Sequence, residues 1–179
     1  MKRLVLVVFL ALAVPCLAFG QAQTAQPPKP GPEVQKLAYY VGTWKGEGEI
    51  KAGPFGPGGK FSGTESCEWF AGGFHVVCRR ESTGPEGKMT ELEILAYDAE
   101  AKAYTTYSID SSGFSGGAKG SLTENTWTSL WEGKAAGKPA KYRYTGVQVS
   151  PTSLTFKIDY SVAGGPWTVV MEGKSTKVK

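Results

Sequence analysis

The chain has 179 residues, with 20 lysines and arginines against 16 aspartates and glutamates, a formal net charge of +4. That length supports one core and leaves too little chain for a second domain of its own. The near balance of charge, without a basic stripe interleaved with aromatics, argues against a nucleic-acid binder. Residues 1–20 read as an export signal. Lys2 and Arg3 precede an apolar run over residues 4–14 that is too short to span a bilayer, and Ala18-Phe19-Gly20 places small residues where a signal peptidase cuts. Cleavage after Gly20 is therefore expected, giving a secreted or periplasmic protein with 18 basic and 16 acidic residues. Cys16 raises a lipoprotein alternative, against which Pro15 stands where a lipobox needs a small residue. No later stretch is apolar for long enough to make a transmembrane helix, so no stable membrane insertion is expected after cleavage.

Residues 21–32 (QAQTAQPPKPGP) form a polar, proline-rich tether that cannot bury a core. The single domain is expected over residues 33–179. Val34, Leu37, Ala38 and Val41 recur at helical spacing, which predicts a short helix covering one end of the domain. From Thr43 onward the period is two. Trp44, Gly46, Gly48 and Ile50 share one face, while Lys45, Glu47, Glu49 and Lys51 take the other, which is expected to meet solvent. Residues 52–59 make a glycine- and proline-rich loop with Phe55 at its tip.

Three hairpins can be registered from their turns. Gly72-Gly73 pairs Ala71 with Phe74, Trp69 with Val76 and Cys67 with Cys78, an apolar face expected to point inward. A loop over residues 99–102 pairs Ala96 with Thr105, Ile94 with Tyr107 and Leu92 with Ile109, which turns Glu91 and Glu93 outward. An Ala163-Gly164 turn pairs Tyr160 with Trp167, Ile158 with Val169 and Phe156 with Met171. For the strand over residues 141–149 the pattern allows two faces, one burying Tyr142 and Tyr144 and the other Arg143, Thr145 and Val147. The total is nine or ten antiparallel strands with short connections, an all-β up-and-down barrel. At that strand number the interior exceeds what side chains comfortably fill, so room for one small ligand is expected beside the alternative of a packed aromatic core.

The chemistry of the side chains is sparse. Cys67 and Cys78 are the cysteines left after cleavage and face each other across a hairpin, which predicts a disulfide in an oxidising compartment. A metal site of Cys67, His75 and Cys78 is the alternative, and the register opposes it because His75 falls on the other face. His75 is also the one histidine of the chain, so any Ser-His-Asp or Cys-His arrangement depends on it. Glu91 and Glu93 read as a solvated pair. The glycine-rich runs lack the helix and lysine of a phosphate cradle. Arg80 falls on the inner face beyond Cys78 and needs a partner there: either Trp44, with a structural role, or the carboxylate of a ligand.

Residues 37–49 (LAYYVGTWKGEGE) resemble the G-x-W opening of the calycin superfamily, the lipocalins and fatty-acid-binding proteins. A longer pattern is more specific: YVGTWKGEGE, ESCEWFAGGFHVVCRRES, AYDAEAKAYTTYSIDSSG, then a Gly-Pro-Trp strand ending MEGKSTK. Together these resemble the bacterial domain-of-unknown-function family numbered 1579, which implies a lipocalin-like barrel in exported proteins and no established activity. GTWKGEGE is also similar to the opening of nitrobindin-type barrels, which bind haem through a histidine near the C-terminus. No histidine follows residue 154 here, so haem is not expected, with Tyr160 or Met171 the remaining ligands for it.

The sequence therefore predicts an exported barrel that binds a small, largely apolar molecule without transforming it and without a cofactor or metal. Trp44, Trp69, Phe74, Tyr107, Phe156 and Trp167 are the candidate lining residues, and Arg80 is the candidate polar anchor. Two rivals stand beside it. One is a barrel enzyme, isomerase- or hydrolase-like, which would need an inward carboxylate or tyrosine of shifted pKa. The other is a filled scaffold meeting protein partners at the Phe55 or Phe114 loops. Oligomeric state is not readable.

Overall fold

The protein is described here from a computed structural model covering residues 28–178, so the expected export signal and most of the tether lie outside the described residues. A single helical turn α1 (Pro32–Gln35) runs into a 3-10 turn (Lys36–Tyr39). Ten strands follow: β1 (Gly42–Ile50), β2 (Gly59–Trp69), β3 (Val76–Gly84), β4 (Gly87–Asp98) and β5 (Ala103–Asp110), then β6 (Ser115–Thr123), β7 (Thr126–Ala135), β8 (Lys138–Ser150), β9 (Ser153–Val162) and β10 (Thr168–Lys177). Each strand pairs antiparallel with the next and β10 returns to β1, closing the barrel and removing every sheet edge. Among the described residues no helix is long and apolar enough to cross a membrane.

Closure at the β1–β10 seam rests on glycine. Gly48 and Gly173 face each other there, with Phe61 beside Gly48 and Phe156 beside Gly173 on the flanking strands. A Cβ on either glycine would lie 2.8 Å from the ring of its phenylalanine neighbour. The missing side chains thus seat two rings whose centroids are 6.2 Å apart, a way to keep a glycine-rich strand packed while it bends.

The two ends of the barrel differ. At one end the helical segment plugs the opening. Leu37 is fully buried among Cys67, Val76, Cys78, Leu95, Tyr104 and Trp127. Complete burial of Leu37 or Val76 is worth about 1.5–3 kcal/mol each. Hydrogen bonds latch the plug to the rim: the Tyr39 hydroxyl donates to the Ser153 carbonyl at 2.8 Å, and the Tyr104 hydroxyl donates to the Glu33 carboxylate at 2.7 Å. Trp44 Nε1 donates to the Tyr40 carbonyl at 2.8 Å. The opposite end is framed by the loops between β1 and β2, β3 and β4, and β5 and β6, and stays open.

The first two hairpins have the expected registers, with Cys67 opposite Cys78 and Ile94 opposite Tyr107. Two expectations are corrected. On β4 and β5 the inner face carries Met89, Glu91, Glu93, Leu95, Tyr104, Thr106 and Ser108, so Glu91 and Glu93 point in, not out. Leu92, Ile94, Tyr107 and Ile109 form the outer face, where Tyr107 is 51 % and Ile109 44 % exposed. The ladder explains this: Arg80 on β3 is directly opposite Glu65 on β2 and Glu91 on β4, and residues opposite one another share a face. A guanidinium turned inward brings its carboxylates with it. In the last hairpin Thr168, not Trp167, meets Tyr160, one residue from the expected register, and a bulge between Val169 and Met171 adds a second shift, so Met171 meets Ile158 and Gly173 meets Phe156. Trp167 falls outside the strand, 40 % exposed, with the Arg143 guanidinium 4.4 Å from its ring centre. On β8 the open choice resolves toward Tyr142 and Tyr144 inside, and Arg143 outside against Asp159 at 3.0 Å.

Candidate functional site: a cavity with a carboxylate floor

Inside the barrel, above the plugged end, lies a cavity of about 580 Å³. That size falls within the range of small-molecule pockets. Trp44, Trp127, Leu95 and Leu154 stand at its base, while Phe61, Phe156, Ile158 and Met171 make an apolar wall. Phe55 reaches in from the β1–β2 loop and meets Tyr160 edge-on at 5.2 Å between ring centres. Trp131 stacks on Tyr142 at 5.3 Å, continuing an aromatic belt toward the mouth. Small residues, Gly116 and Ala118 on β6 across the barrel and Gly46 on β1 between β10 and β2, leave the volume unfilled. Alternation places both sets on the inner face because successive side chains of a strand take opposite sides.

One group of charges breaks the apolar lining. Arg80 Nη2 donates to Glu65 Oε1 at 2.7 Å, Arg80 Nε donates to the same oxygen at 3.1 Å, and Nη1 donates to Glu91 Oε2 at 2.7 Å. Glu93 Oε2 is 3.8 Å from Arg80 Nη2, an ion pair without a hydrogen bond. One guanidinium thus faces three carboxyl groups. Burial raises the Glu93 carboxyl from its ordinary value to about 8; Arg80 opposes the rise, and the neighbouring Glu65 and Glu91 charges add to it. Burial works against the charge on Arg80 too, but the three carboxylates outweigh it and hold the guanidinium protonated. Burial also holds the Tyr144 phenol well above its usual range and raises that of Tyr40. The Tyr40 hydroxyl is buried with no hydrogen-bond partner of good geometry.

The structure distributes the sequence-predicted residues between three places. Trp44, Arg80 and Phe156 line the cavity. Trp69 packs against the plugged-end core, and Phe74 sits in the β2–β3 turn at that same end, so neither borders the cavity. Tyr107 and Trp167 lie on the outer surface, and the expectation that they line the interior is corrected by the face inversion on β5 and by the connection before β10, which leaves Trp167 outside the strand. Arg80 is not partnered by Trp44, whose ring instead lies 4.8 Å from the Lys177 ammonium. Its partners are Glu65, Glu91 and Glu93, of which Glu65 was not singled out from the sequence. The signal was present, since the Cys67–Cys78 register places Glu65 opposite Arg80.

Cys67 and Cys78 are joined by a disulfide across β2 and β3. Both sulfurs are consumed by it, which removes the thiolates that a Cys67–His75–Cys78 metal site would need. His75 is exposed at the β2–β3 turn and does not border the cavity. Tyr160, one of the two residues named for haem, packs against Phe55 and Tyr142, and Met171 borders the cavity.

A closed ten-stranded antiparallel meander with a short N-terminal helix and a hollow interior is a lipocalin-like, calycin-type barrel. The chain belongs to the family described as "Protein of unknown function (DUF1579)", whose model matches residues 29–177. The fold is similar to the crystal structure of Rv2717c from M. tuberculosis, with TM-score 0.59 and 15% identity, covering 84% of this chain and 100% of that one. It is also similar to the S-type phycobiliprotein lyase CPES from Guillardia theta, with TM-score 0.54 and 9% identity over 81% of this chain and 92% of that one. At such identities the likeness is one of fold. No curated protein matches the sequence.

Proposed function

We propose that this protein is an exported binding barrel that holds one small, largely apolar molecule without transforming it. The observation that carries the reading is the cavity: about 580 Å³, walled by aromatic and aliphatic side chains, and open at one end only. Export is supported by the disulfide, a bond that persists in oxidising compartments. Trp44, Phe61 and Phe156 supply the apolar walls, and the Arg80 cluster supplies the polar contact that orients the ligand. Titration with N-phenyl-1-naphthylamine, a neutral probe that brightens in apolar sites, tests the reading. One equivalent should bind, and Ala118→Trp, which fills the cavity from β6, should abolish the signal. No signal in the parent protein, or an unchanged one in the variant, contradicts it.

A second reading, a barrel enzyme acting on a small hydrophobic substrate, is favoured by one observation. Glu93 is an inward carboxyl group raised to about 8, the range in which a side chain both gives and takes protons near neutrality. Glu93 would be its acid–base residue. Conversion of a bound molecule that stops in Glu93→Gln while binding persists would support this reading, and recovery of every bound molecule unchanged would oppose it.

A further inference from the structure

The charges around the cavity are one-sided. Among its lining residues Arg80 is the one cation, whereas Glu65, Glu91 and Glu93 stand at its floor and Glu86 at its mouth. No lysine lines it. This is the reverse of the chain as a whole, which carries a formal +4. A cavity that received a carboxylate would present a guanidinium with free N–H groups. Here three donor contacts of Arg80 already end on Glu65 and Glu91 at 2.7–3.1 Å. An incoming anion would reach at most the two remaining N–H groups of Arg80 and would sit among three carboxyl groups, in surroundings where Coulomb interactions are stronger than in water.

Glu93 is the group left over. Among the described residues no side-chain hydrogen bond reaches it, and its nearest cation is 3.8 Å away, yet its side chain is only 21 % exposed and it borders the cavity. A carboxyl group so placed lacks the partners that buried polar groups ordinarily find. Tyr40 borders the same cavity with its hydroxyl buried beside Gln148, which leaves Glu93 as the carboxyl group facing the space without a hydrogen-bond partner.

We propose that the ligand of this cavity is a cationic amphiphile: an apolar body against the aromatic walls, with a protonated basic nitrogen donating to Glu93 on the carboxylate floor. The inference rests on the binding reading above and adds the class of ligand. Glu93 accepts the ammonium N–H, Glu65 and Glu91 supply the surrounding negative field, and Arg80 positions those two carboxylates without touching the ligand. The same floor discriminates against fatty acids, because selectivity follows from the unpaired charge a wrong ligand meets as much as from contacts to the right one.

Displacement of bound N-phenyl-1-naphthylamine by three compounds of one chain length, decylamine, decanol and decanoate, tests the inference at pH 9, where the Glu93 carboxyl, raised to about 8, is mostly ionised. Decylamine should displace the probe about tenfold more effectively than decanoate, with decanol between them. Glu93→Gln, which keeps the shape and removes the charge, should weaken decylamine about five- to tenfold and leave decanol unchanged. Decanoate equal to or better than decylamine overturns the inference and leaves the binding reading intact. So does a Glu93→Gln protein that binds decylamine as the parent does while decanol still displaces. Failure of the probe itself to bind overturns the binding reading and the inference together.

Discussion

The two ends of this barrel are built from the same ten strands and solve opposite problems. At the plugged end the inward positions of β2 to β5 are Cys67, Val76, Cys78, Leu95 and Tyr104, and Leu37 from the helical segment completes a dry core. Farther along the same strands the inward positions become Gly63, Glu65, Arg80, Ser82, Glu91, Glu93, Thr106 and Ser108, around space rather than around each other. Stability is thus concentrated in the first region and recognition in the second. The lesson is that inward does not mean apolar in a barrel kept hollow. The apolar side chains Leu92 and Ile94 lie on the outer face of β4, the strand whose inner face carries Glu91 and Glu93.

Substitutions at the two ends should therefore differ in kind. The largest loss is expected for Leu37→Ala, which opens a cavity in the plugged core and should cost about 2–5 kcal/mol in urea unfolding. A cost under about 1 kcal/mol, well below the range for emptying a packed site, would erase the distinction between the ends. Replacing both cysteines by alanine should cost about 2–3 kcal/mol, since the disulfide spans a sequence separation of 11 and closes a short loop. Unaltered unfolding of the double variant would show that the hairpin needs no staple.

At the hollow end the effects should be smaller and depend on pH. Arg80→Met leaves three carboxyl groups without their cation and should cost about 1–3 kcal/mol at pH 8, reduced from the fully buried case because its side chain is 39 % exposed. Equal stability of variant and parent at pH 8 would deny Arg80 a structural role. Glu93→Gln should go the other way. The Glu93 carboxyl is raised from 4.5 to about 8 in the folded protein, so below pH 4.5 folded and unfolded states both hold the proton and the group is neutral to stability. Between 4.5 and 8 the unfolded chain releases the proton first, and stability falls as pH rises. The variant should match the parent at pH 4 and exceed it by about 1–3 kcal/mol at pH 8. A variant less stable at pH 8 would mean that the charged form of Glu93 is welcome where it sits.

The smallest effect concerns the proposed ligand. Binding of decyltrimethylammonium, whose charge is fixed, should strengthen about threefold from pH 6.5 to 9 as Glu93 ionises. The groups facing Glu93 are Arg80 on β3, Glu65 on β2, Glu91 on its own strand, Tyr144 on β8 and Tyr40 beneath, and neither tyrosine titrates in that range. A flat profile in the parent would detach Glu93 from recognition.

Much of the fold was legible because turn residues and period-two alternation fix which residues oppose one another. Gly72-Gly73 sets the Cys67–Cys78 pair, and with it the disulfide, from local chemistry alone. Alternation separates two faces without saying which is inside. On β4 and β5 the apolar face was read as inner, because burial of apolar surface is the usual reward of folding, and a hollow interior suspends that rule. Following the ladder outward from Arg80 would have corrected it, through Glu65 on one side and Glu91 on the other. The last hairpin has no such signal. A two-residue turn at Ala163-Gly164 predicts a register, and nothing in residues 163–171 marks the five-residue connection that puts Thr168 opposite Tyr160 and leaves Trp167 outside. The site residues carried by long-range register were therefore harder to read than the fold that positions them.

The central claim, that the interior is a binding site, is tested most directly by a native mass spectrum of the protein purified gently from an oxidising compartment. A reproducible adduct at one per chain, lost in Ala118→Trp and released on unfolding, is the expected result, and its mass would identify the molecule. A bare chain, with no adduct formed on adding either decylamine or N-phenyl-1-naphthylamine, would contradict the claim and leave the barrel a scaffold.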